Sequence, residues 1–217
     1  QQVAVELAAR GHRVFWVSPG RVTTAGSPVA YRTRLLRNNL WEVRLRTPAR
    51  EPYRDELDET ARQEQTESLR QLCRDMEISD LVLVVQLPYW RRLALNLREL
   101  SHGLLVYDCM DDWDPFPNIS DFIRSEEQSL VREADLVLVS AAKLEQKFKG
   151  EAKRMALVRN GADYQRFQNA ASHPDLAAVP RPIVGYFGAI ADWMDLDLLE
   201  EAARRRPQYS FVLVGQV

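Results

Sequence analysis

The stretch LLVYDCMDDWDPF, residues 104–116, joins an unbroken apolar run to four aspartates, Asp108, Asp111, Asp112 and Asp114. Apolar residues at consecutive positions fit a strand buried on both faces, as in a parallel sheet, better than a strand with one wet side. Carboxylates packed this tightly repel one another and need cations, hydrogen-bond donors, water or a shared proton. The fold therefore turns on whether the same rhythm recurs around the stretch.

It does. LVLVV (81–85) precedes Pro88 and a helical pattern reaching Leu100, DLVLVS (135–140) precedes a helix to about Phe148, and RMALVRN (154–160) closes the series. Between the second and third strands a helix is expected over about 119–133. Strands alternating with helices predict an α/β, Rossmann-like parallel sheet covered on both faces. In such sheets ligands bind beyond the carboxyl ends of the strands, which is where Gln86, Leu87, Pro88, Tyr89 and the aspartates fall.

Towards the amino end, QQVAVELAARGHRVFWVSPG reads as a helix, a glycine cap at Gly11 and a strand over Val14–Val17. The chain begins inside that helix, so the first strand of the unit is expected to be missing. In TRLLRNNLWEVRLRTP, Trp41, Val43 and Leu45 alternate with Glu42, Arg44 and Arg46, which predicts one packed and one wet face. Residues 55–76 read as a long polar helix with a thin apolar stripe of Leu57, Ala61, Leu69, Leu72, Cys73 and Met76.

Beyond this unit, residues 168–182 are small, polar and contain three prolines, as connecting segments do. RPIVGYFGAI, ADWMDLDLLEEAARRRP and SFVLVGQV then read as the first strand, helix and second strand of another Rossmann-like unit. The expected division is 1–167 for the first domain, 168–181 for the linker and 182–217 for an incomplete second domain, with the sequence cut short at both ends.

Composition narrows the function. The chain has 217 residues, 46% hydrophobic and 28% charged, with a net charge of -2, and reads as soluble and globular. No apolar run approaches the length of about 18 residues that spans a bilayer, and no leader pattern opens the sequence. The expectation is cytoplasmic. Cys73 and Cys109 are too few for a disulfide framework. Residues 1–54 carry ten arginines against Glu6, Glu42 and Glu51, a local charge of +7. That region reads either as a solvated arginine-rich hairpin or as a face for an anionic partner. Lys143, Lys147, Lys149 and Lys153 read as a solvated face or as a membrane-surface patch.

The aspartate loop fits neither a calcium loop, lacking its alternating ligands and glycine, nor a phosphoacceptor pocket, whose acidic pair would come earlier in the chain. No metal site is expected. Asp108 at the strand end and Asp114 before Pro115 read as local backbone or turn chemistry, which leaves Asp111 and Asp112. Tyr89, Trp90, Arg91 and Arg92 combine aromatic faces with guanidinium forks suited to a sugar ring or phosphate, although for Trp90 packing is the better reading. Gly188 lets backbone approach a diphosphate at a helix start, and Asn160-Gly161 makes a tight turn.

The order of QLPYW (86–90), YDCMDDW (107–113), ADLVLVSAAKL (135–144), VRNGADYQRF (158–167) and IVGYFGAIADWMDLDLL (183–199) resembles the bacterial GT-B glycosyltransferases of the group 4-like family. The resemblance covers nearly the whole chain. It implies an acceptor-side domain and a nucleotide-sugar domain facing each other across a cleft. It also implies transfer of a sugar from a nucleotide-diphosphate sugar to a hydroxyl of a glycan or lipid-linked acceptor in cell-surface polysaccharide assembly. On that basis Asp111 and Asp112 are the candidate catalytic residues, Asp111 favoured as general base. Gly188, Ala189, Trp193 and Gly215 are candidates for the donor, and Tyr89, Trp90, Arg91 and Asn160 for lining the acceptor cleft. The nucleotide sugar is a co-substrate, no cofactor is expected, nucleic acid is not a partner, and peripheral contact with an anionic inner membrane face is an expectation of the basic region. A histidine on which some members rely is absent here. A sugar-nucleotide epimerase of similar fold and a non-catalytic sugar or lipid-carrier binding module stay open.

Overall fold

The computed structural model describes residues 2–18, 30–46, 52–56, 58–101, 103–168, 173–191 and 194–216, without the side chains of Leu100, Ser101 and Arg166. The chain forms two compact units, residues 1–160 and 161–217.

In the first unit, α1 (Gln2–Ala9) ends before Gly11, whose φ of 93° lies in the left-handed region that a glycine cap supplies. β1 (Val14–Val17) follows and pairs in parallel with β3 (Leu40–Leu45), from Val14 against Leu40 to Val17 against Val43. β2 (Tyr31–Arg37) runs antiparallel to β3 through a turn at Asn38 and Asn39, so the sheet order is β1-β3-β2. Against it packs α2 (Glu59–Asp75), started by Asp58, whose carboxylate accepts from the Ala61 N–H at 2.8 Å. Val43, Leu45, Leu69 and Leu72 share one core with Leu93 and Leu97. Each such side chain contributes roughly 1.5–3 kcal/mol by leaving water.

The stripe on α2 is thin because part of its buried face is polar and locally bonded. The Thr66 hydroxyl donates to the Arg62 carbonyl and accepts from Asn96, and the Ser68 hydroxyl donates to the Glu64 carbonyl. The wet face expected for Glu42 is corrected: Glu42 is 5% exposed, lying beneath Arg34 and Arg44. Those two bridges outweigh its burial and hold its carboxyl below the ordinary range.

The second sheet of this unit is wholly parallel. β4 (Val82–Val85), β5 (Leu104–Cys109), β6 (Leu136–Val139) and β7 (Met155–Leu157) lie in the order β4-β5-β6-β7. They are joined by a 3-10 turn over Pro88–Trp90 and by α3 (Arg91–Ser101), α4 (Asp121–Glu133) and α5 (Ala142–Lys147). Because the strands add in one direction with crossovers of one hand, the helices gather on one face. Val85, Leu105, Tyr107, Cys109, Val137 and Val139 pack there with Leu130, Leu144 and Phe148. Cover on both faces was expected, and this is corrected among the described residues: Val82 and Leu104, on the opposite face, are 62% and 58% exposed. The entry of β5 is pinned by Asp135, which accepts from the Leu105 N–H at 2.8 Å and from Arg98 at 2.7 Å.

In the second unit, α6 (Tyr164–Gln168) and α7 (Pro174–Ala177) precede β8 (Ile183–Phe187), α8 (Leu196–Arg205) and β9 (Ser210–Val214). α7 therefore lies within the segment expected to be a plain linker. β8 and β9 pair in parallel from Ile183 against Ser210 to Phe187 against Val214, which makes a β-α-β unit. Asp195 caps α8 by accepting from the Leu198 N–H at 2.8 Å. No described residue of this unit is fully buried. Among the described residues no helix is long and apolar enough to cross a membrane.

Candidate functional site

The carboxyl edge of the four-stranded sheet is formed by Gln86 after β4, Met110 and Asp111 after β5, Ser140 after β6 and Val158 after β7. The loop 110–118 between β5 and α4 is held at several points. The Ser140 hydroxyl donates to the Met110 carbonyl at 2.8 Å, the Cys109 thiol to the Asp111 carbonyl at 3.4 Å, and Arg124 to the Phe116 carbonyl at 3.1 Å. Trp113 turns inward, its indole N–H donating to the Tyr107 hydroxyl at 3.2 Å. It packs with Tyr89, Ile119 and Ile123 beneath the loop.

The four aspartates divide sharply. Asp108 accepts from the Gln86 amide at 2.8 Å. Asp112 accepts from Lys143 at 2.7 Å on one oxygen and from Lys147 at 3.0 Å on the other. Asp114 accepts from Lys147 at 3.0 Å. The exposed Asp111 carboxylate alone has no hydrogen-bond or ion-pair partner among the described residues. Asp112, paired with Asp111 as a catalytic candidate, is thus clamped. Burial pushes its carboxyl up, but Lys143 and Lys147 outweigh this and leave it below the ordinary range, a poorer proton acceptor.

The cation that the crowded loop requires is Lys147, one of four lysines read from sequence as a solvated face or a membrane-surface patch. That reading is corrected: its side chain is 23% exposed, and its ammonium also reaches Glu127 at 3.1 Å. Burial alone would lower its pKa; Asp114, Asp112 and Glu127 reverse the shift and raise it. Glu127, 1% exposed on α4, accepts from the Tyr107 hydroxyl at 2.8 Å. Burial keeps its carboxyl above the ordinary range despite these partners. Burial also pushes the Cys109 thiol up to about 12, so it stays protonated and unreactive. Glu127 escaped the sequence reading, yet a signal existed: with Ile123 and Leu130 it falls at helical spacing on the apolar stripe of α4, where a carboxylate needs a partner.

The other candidates are placed as follows. Tyr89 is buried, edge-on to Trp90 at 4.8 Å, so it supports the loop from below rather than presenting a face to solvent. Arg91 lies between α3 and α4, bound to Glu126 at 3.4 Å and Glu133 at 3.2 Å. Arg92 bridges Glu126 and Glu56. These guanidinium forks, expected to be open to a ligand, tie the helices together. Asn160 is exposed just after β7.

In the second unit, Gly188 and Gly215 bring two strand ends into close contact. A Cβ on Gly215 would stand 1.7 Å from the Gly188 carbonyl oxygen. The Gly188 N–H donates to the Val214 carbonyl at 3.0 Å, and the Ile190 N–H to the Gln216 carbonyl at 2.9 Å. The expectation that Gly188 offers its amide to a diphosphate is therefore corrected, since that amide is taken within the strand pair. Ala189 lies in this junction, its carbonyl accepting from the Tyr186 hydroxyl at 2.9 Å. Trp193 lies outside the described residues. Three of the ten arginines of residues 1–54 meet carboxylates already counted in the +7, Arg10 with Glu6 and Arg34 and Arg44 with Glu42, and Arg13 donates to the Met76 and Glu77 carbonyls.

No family model matches the chain. Among curated proteins it is similar to TuaH of Bacillus subtilis strain 168, described as a provisional teichuronic acid biosynthesis glycosyltransferase. The two are 23% identical over 131 residues, 53% of this chain and 33% of TuaH. The chain thus matches about a third of that relative's length. Among solved structures it is similar to a sucrose-phosphate synthase of Thermosynechococcus elongatus, with a TM-score of 0.58 and 13% identity over 100% of this chain and 63% of that one. A second solved chain of that synthase aligns with a TM-score of 0.50 and 15% identity over 76% of this chain and 86% of that one. These structural likenesses establish the fold: Rossmann-like α/β units arranged along the chain as in GT-B proteins.

Proposed function

We propose that the chain is the acceptor-side unit, with the start of the donor-side unit, of a glycosyltransferase that moves a sugar from a nucleotide-diphosphate sugar to a hydroxyl of a glycan or lipid-linked acceptor. The observation that carries this reading is the Asp111 carboxylate, exposed and unpartnered among the described residues at the carboxyl edge of a parallel sheet, while Asp108, Asp112 and Asp114 are bonded. Such edges are where open α/β sheets bind ligands. The similarity to TuaH and the shared fold of the synthase support it.

In this reading Asp111 takes the proton of the acceptor hydroxyl as its oxygen attacks the anomeric carbon. The bond from that carbon to the diphosphate breaks, and its electron pair leaves with the nucleoside diphosphate. Asp112 holds the loop rather than acting as the base, because both of its oxygens are engaged. The lipid-linked acceptor and a site at the inner membrane face belong to the proposal. Their support is Arg32, Arg37 and Arg46, which have no carboxylate partner among the described residues.

Replacing Asp111 by Asn in the whole protein tests the reading. Turnover is expected to fall by about 10²–10⁴-fold, the usual worth of a general base, with little change in donor affinity. Near-normal turnover removes Asp111 from the mechanism.

A further inference from the structure

Lys147 sits at the one point where the loop, α4 and α5 converge, and its bonding leaves it nothing to offer a ligand. An ammonium has three N–H donors. The Lys147 ammonium contacts Asp112, Asp114 and Glu127 at 3.0, 3.0 and 3.1 Å. We propose that Lys147 is the positioning residue of the transfer: its ammonium fixes the loop 110–118 so that Asp111 alone presents a free carboxylate. This rests on the glycosyl-transfer reading above.

The geometry explains how one lysine sets the place of a side chain that it does not touch. On one side of Asp111, the Met110 carbonyl is held by Ser140 at 2.8 Å. On the other, Asp112 is gripped on both oxygens, by Lys143 and by Lys147. Lys143 is 79% exposed, so solvent screens its bond, whereas Lys147 is mostly covered and leans on the buried Glu127. Take the Lys147 charge away and three carboxylates face one another with only Lys143 nearby. Repulsion then drives Asp112 and Asp114 outward, and the backbone that carries Asp111 moves with them. A displacement of about 1 Å at a reacting group costs on the order of 100-fold in rate.

Two readouts test this in the whole protein. Hydrogen exchange across 110–118 is compared with the β5 peptide 104–109 as internal reference, and transfer kinetics use whichever of the uridine, guanosine or thymidine diphosphate sugars raises the melting temperature. Lys147→Met is expected to speed exchange in the loop and to lower kcat by about 10–100-fold, with donor KM changing less than about threefold. Lys147→Arg keeps the charge and is expected to recover part of that loss. Leu144→Val, which disturbs the buried side of the same helix, is expected to lower the melting temperature while leaving kcat intact. Should Lys147→Met fail to fold, Asp114→Asn removes one arm of the clamp from an exposed position and is expected to give the same effects in smaller measure. Unchanged loop exchange overturns the clamp. Faster exchange with kcat intact, or an equal fall of kcat in Leu144→Val, overturns the positioning role. If the unaltered protein transfers no sugar from any of these donors, the glycosyl-transfer reading fails by itself, and the proposed role in transfer falls with it.

Discussion

The junction after β5 and the junction after β8 both leave a parallel strand, yet they are fixed by opposite means. After β5 the chain is held by side chains: Lys147, Lys143, Ser140 and Gln86 reach from other elements to the loop and to Asp108 at the strand end. After β8 it is held mainly by backbone: beside a side-chain bond from the Tyr186 hydroxyl to the Ala189 carbonyl, Gly188 and Ile190 donate to Val214 and Gln216, and Gly215 lies against the Gly188 carbonyl with no room for a side chain. A loop fixed by charge is specific about which carboxylate stays free. A loop fixed by backbone contact is specific about which residues have no side chain. The first kind responds to charge and pH, the second to steric change.

The largest expected effect follows from the second kind. Gly215→Ala drives a methyl into a backbone carbonyl that is itself part of the strand pair, and the expected destabilisation of the second unit is on the order of 3 kcal/mol. Gly188→Ala meets the Tyr186 hydroxyl at 2.7 Å instead, a side-chain end that can swing aside. A smaller loss is expected, although the glycine conformation at 157° adds strain. Chemical denaturation followed by a probe in the second unit ranks the two variants. If Gly188→Ala is the more damaging, the backbone contact is not what fixes this junction.

Next comes the charge-held loop. Glu127→Ala leaves Lys147 short of its most buried partner and the Tyr107 hydroxyl without its acceptor. Breaking a buried pair on one side costs about 3 kcal/mol at most here, because Lys147 keeps Asp112 and Asp114 and remains partly in water. Asp121→Ala, whose fully exposed carboxylate bridges to Arg124 on the same helix, is expected to change stability far less. Equal losses in the two would show that the buried network contributes no more than a surface pair.

The fold was readable where one residue type repeats at a fixed interval. The apolar runs at 82–85, 104–109 and 136–139 became the strands of one parallel sheet, and Gly11 ended a helix. What could not be read depended on which distant groups meet. Arg91 and Arg92 look from local sequence like free guanidinium forks, but Glu126 lies more than thirty positions away and α3 packs against α4. Glu42 alternates with apolar neighbours and so looks wet, yet the antiparallel partner strand brings Arg34 beside it. Lys147 is the sharpest case. Nothing near it in sequence marks it as buried, since its carboxylates come from a loop and a helix fixed by the sheet order. The Gly188 amide was misjudged for a related reason: whether an amide is open depends on the partner strand and its register.

The smallest expected effect is the dependence of stability on pH, and it separates the carboxylates of the first unit by sign. Asp112 has a lowered carboxyl because its lysines outweigh burial; Asp135 is lowered chiefly by the Leu105 N–H. Their stabilisation is present above the ordinary carboxylate pKa of about 4 and is lost as pH falls through the lowered folded values. Glu127 behaves oppositely. Its raised carboxyl contributes fully below its ordinary value of about 4.3 and loses that contribution as pH rises through the raised folded value. The melting temperature is therefore expected to fall at acid pH in the unaltered protein, and Asp135→Asn to weaken that fall. Glu127→Gln keeps the shape of the side chain but cannot ionise, so it is expected to remove a downward slope just above the ordinary carboxylate range while leaving the acid limb in place. Melting curves at closely spaced pH values decide it. If Glu127→Gln flattens the acid limb instead, Glu127 is the group that needs its charge, and Lys147 binds it more strongly than burial opposes it.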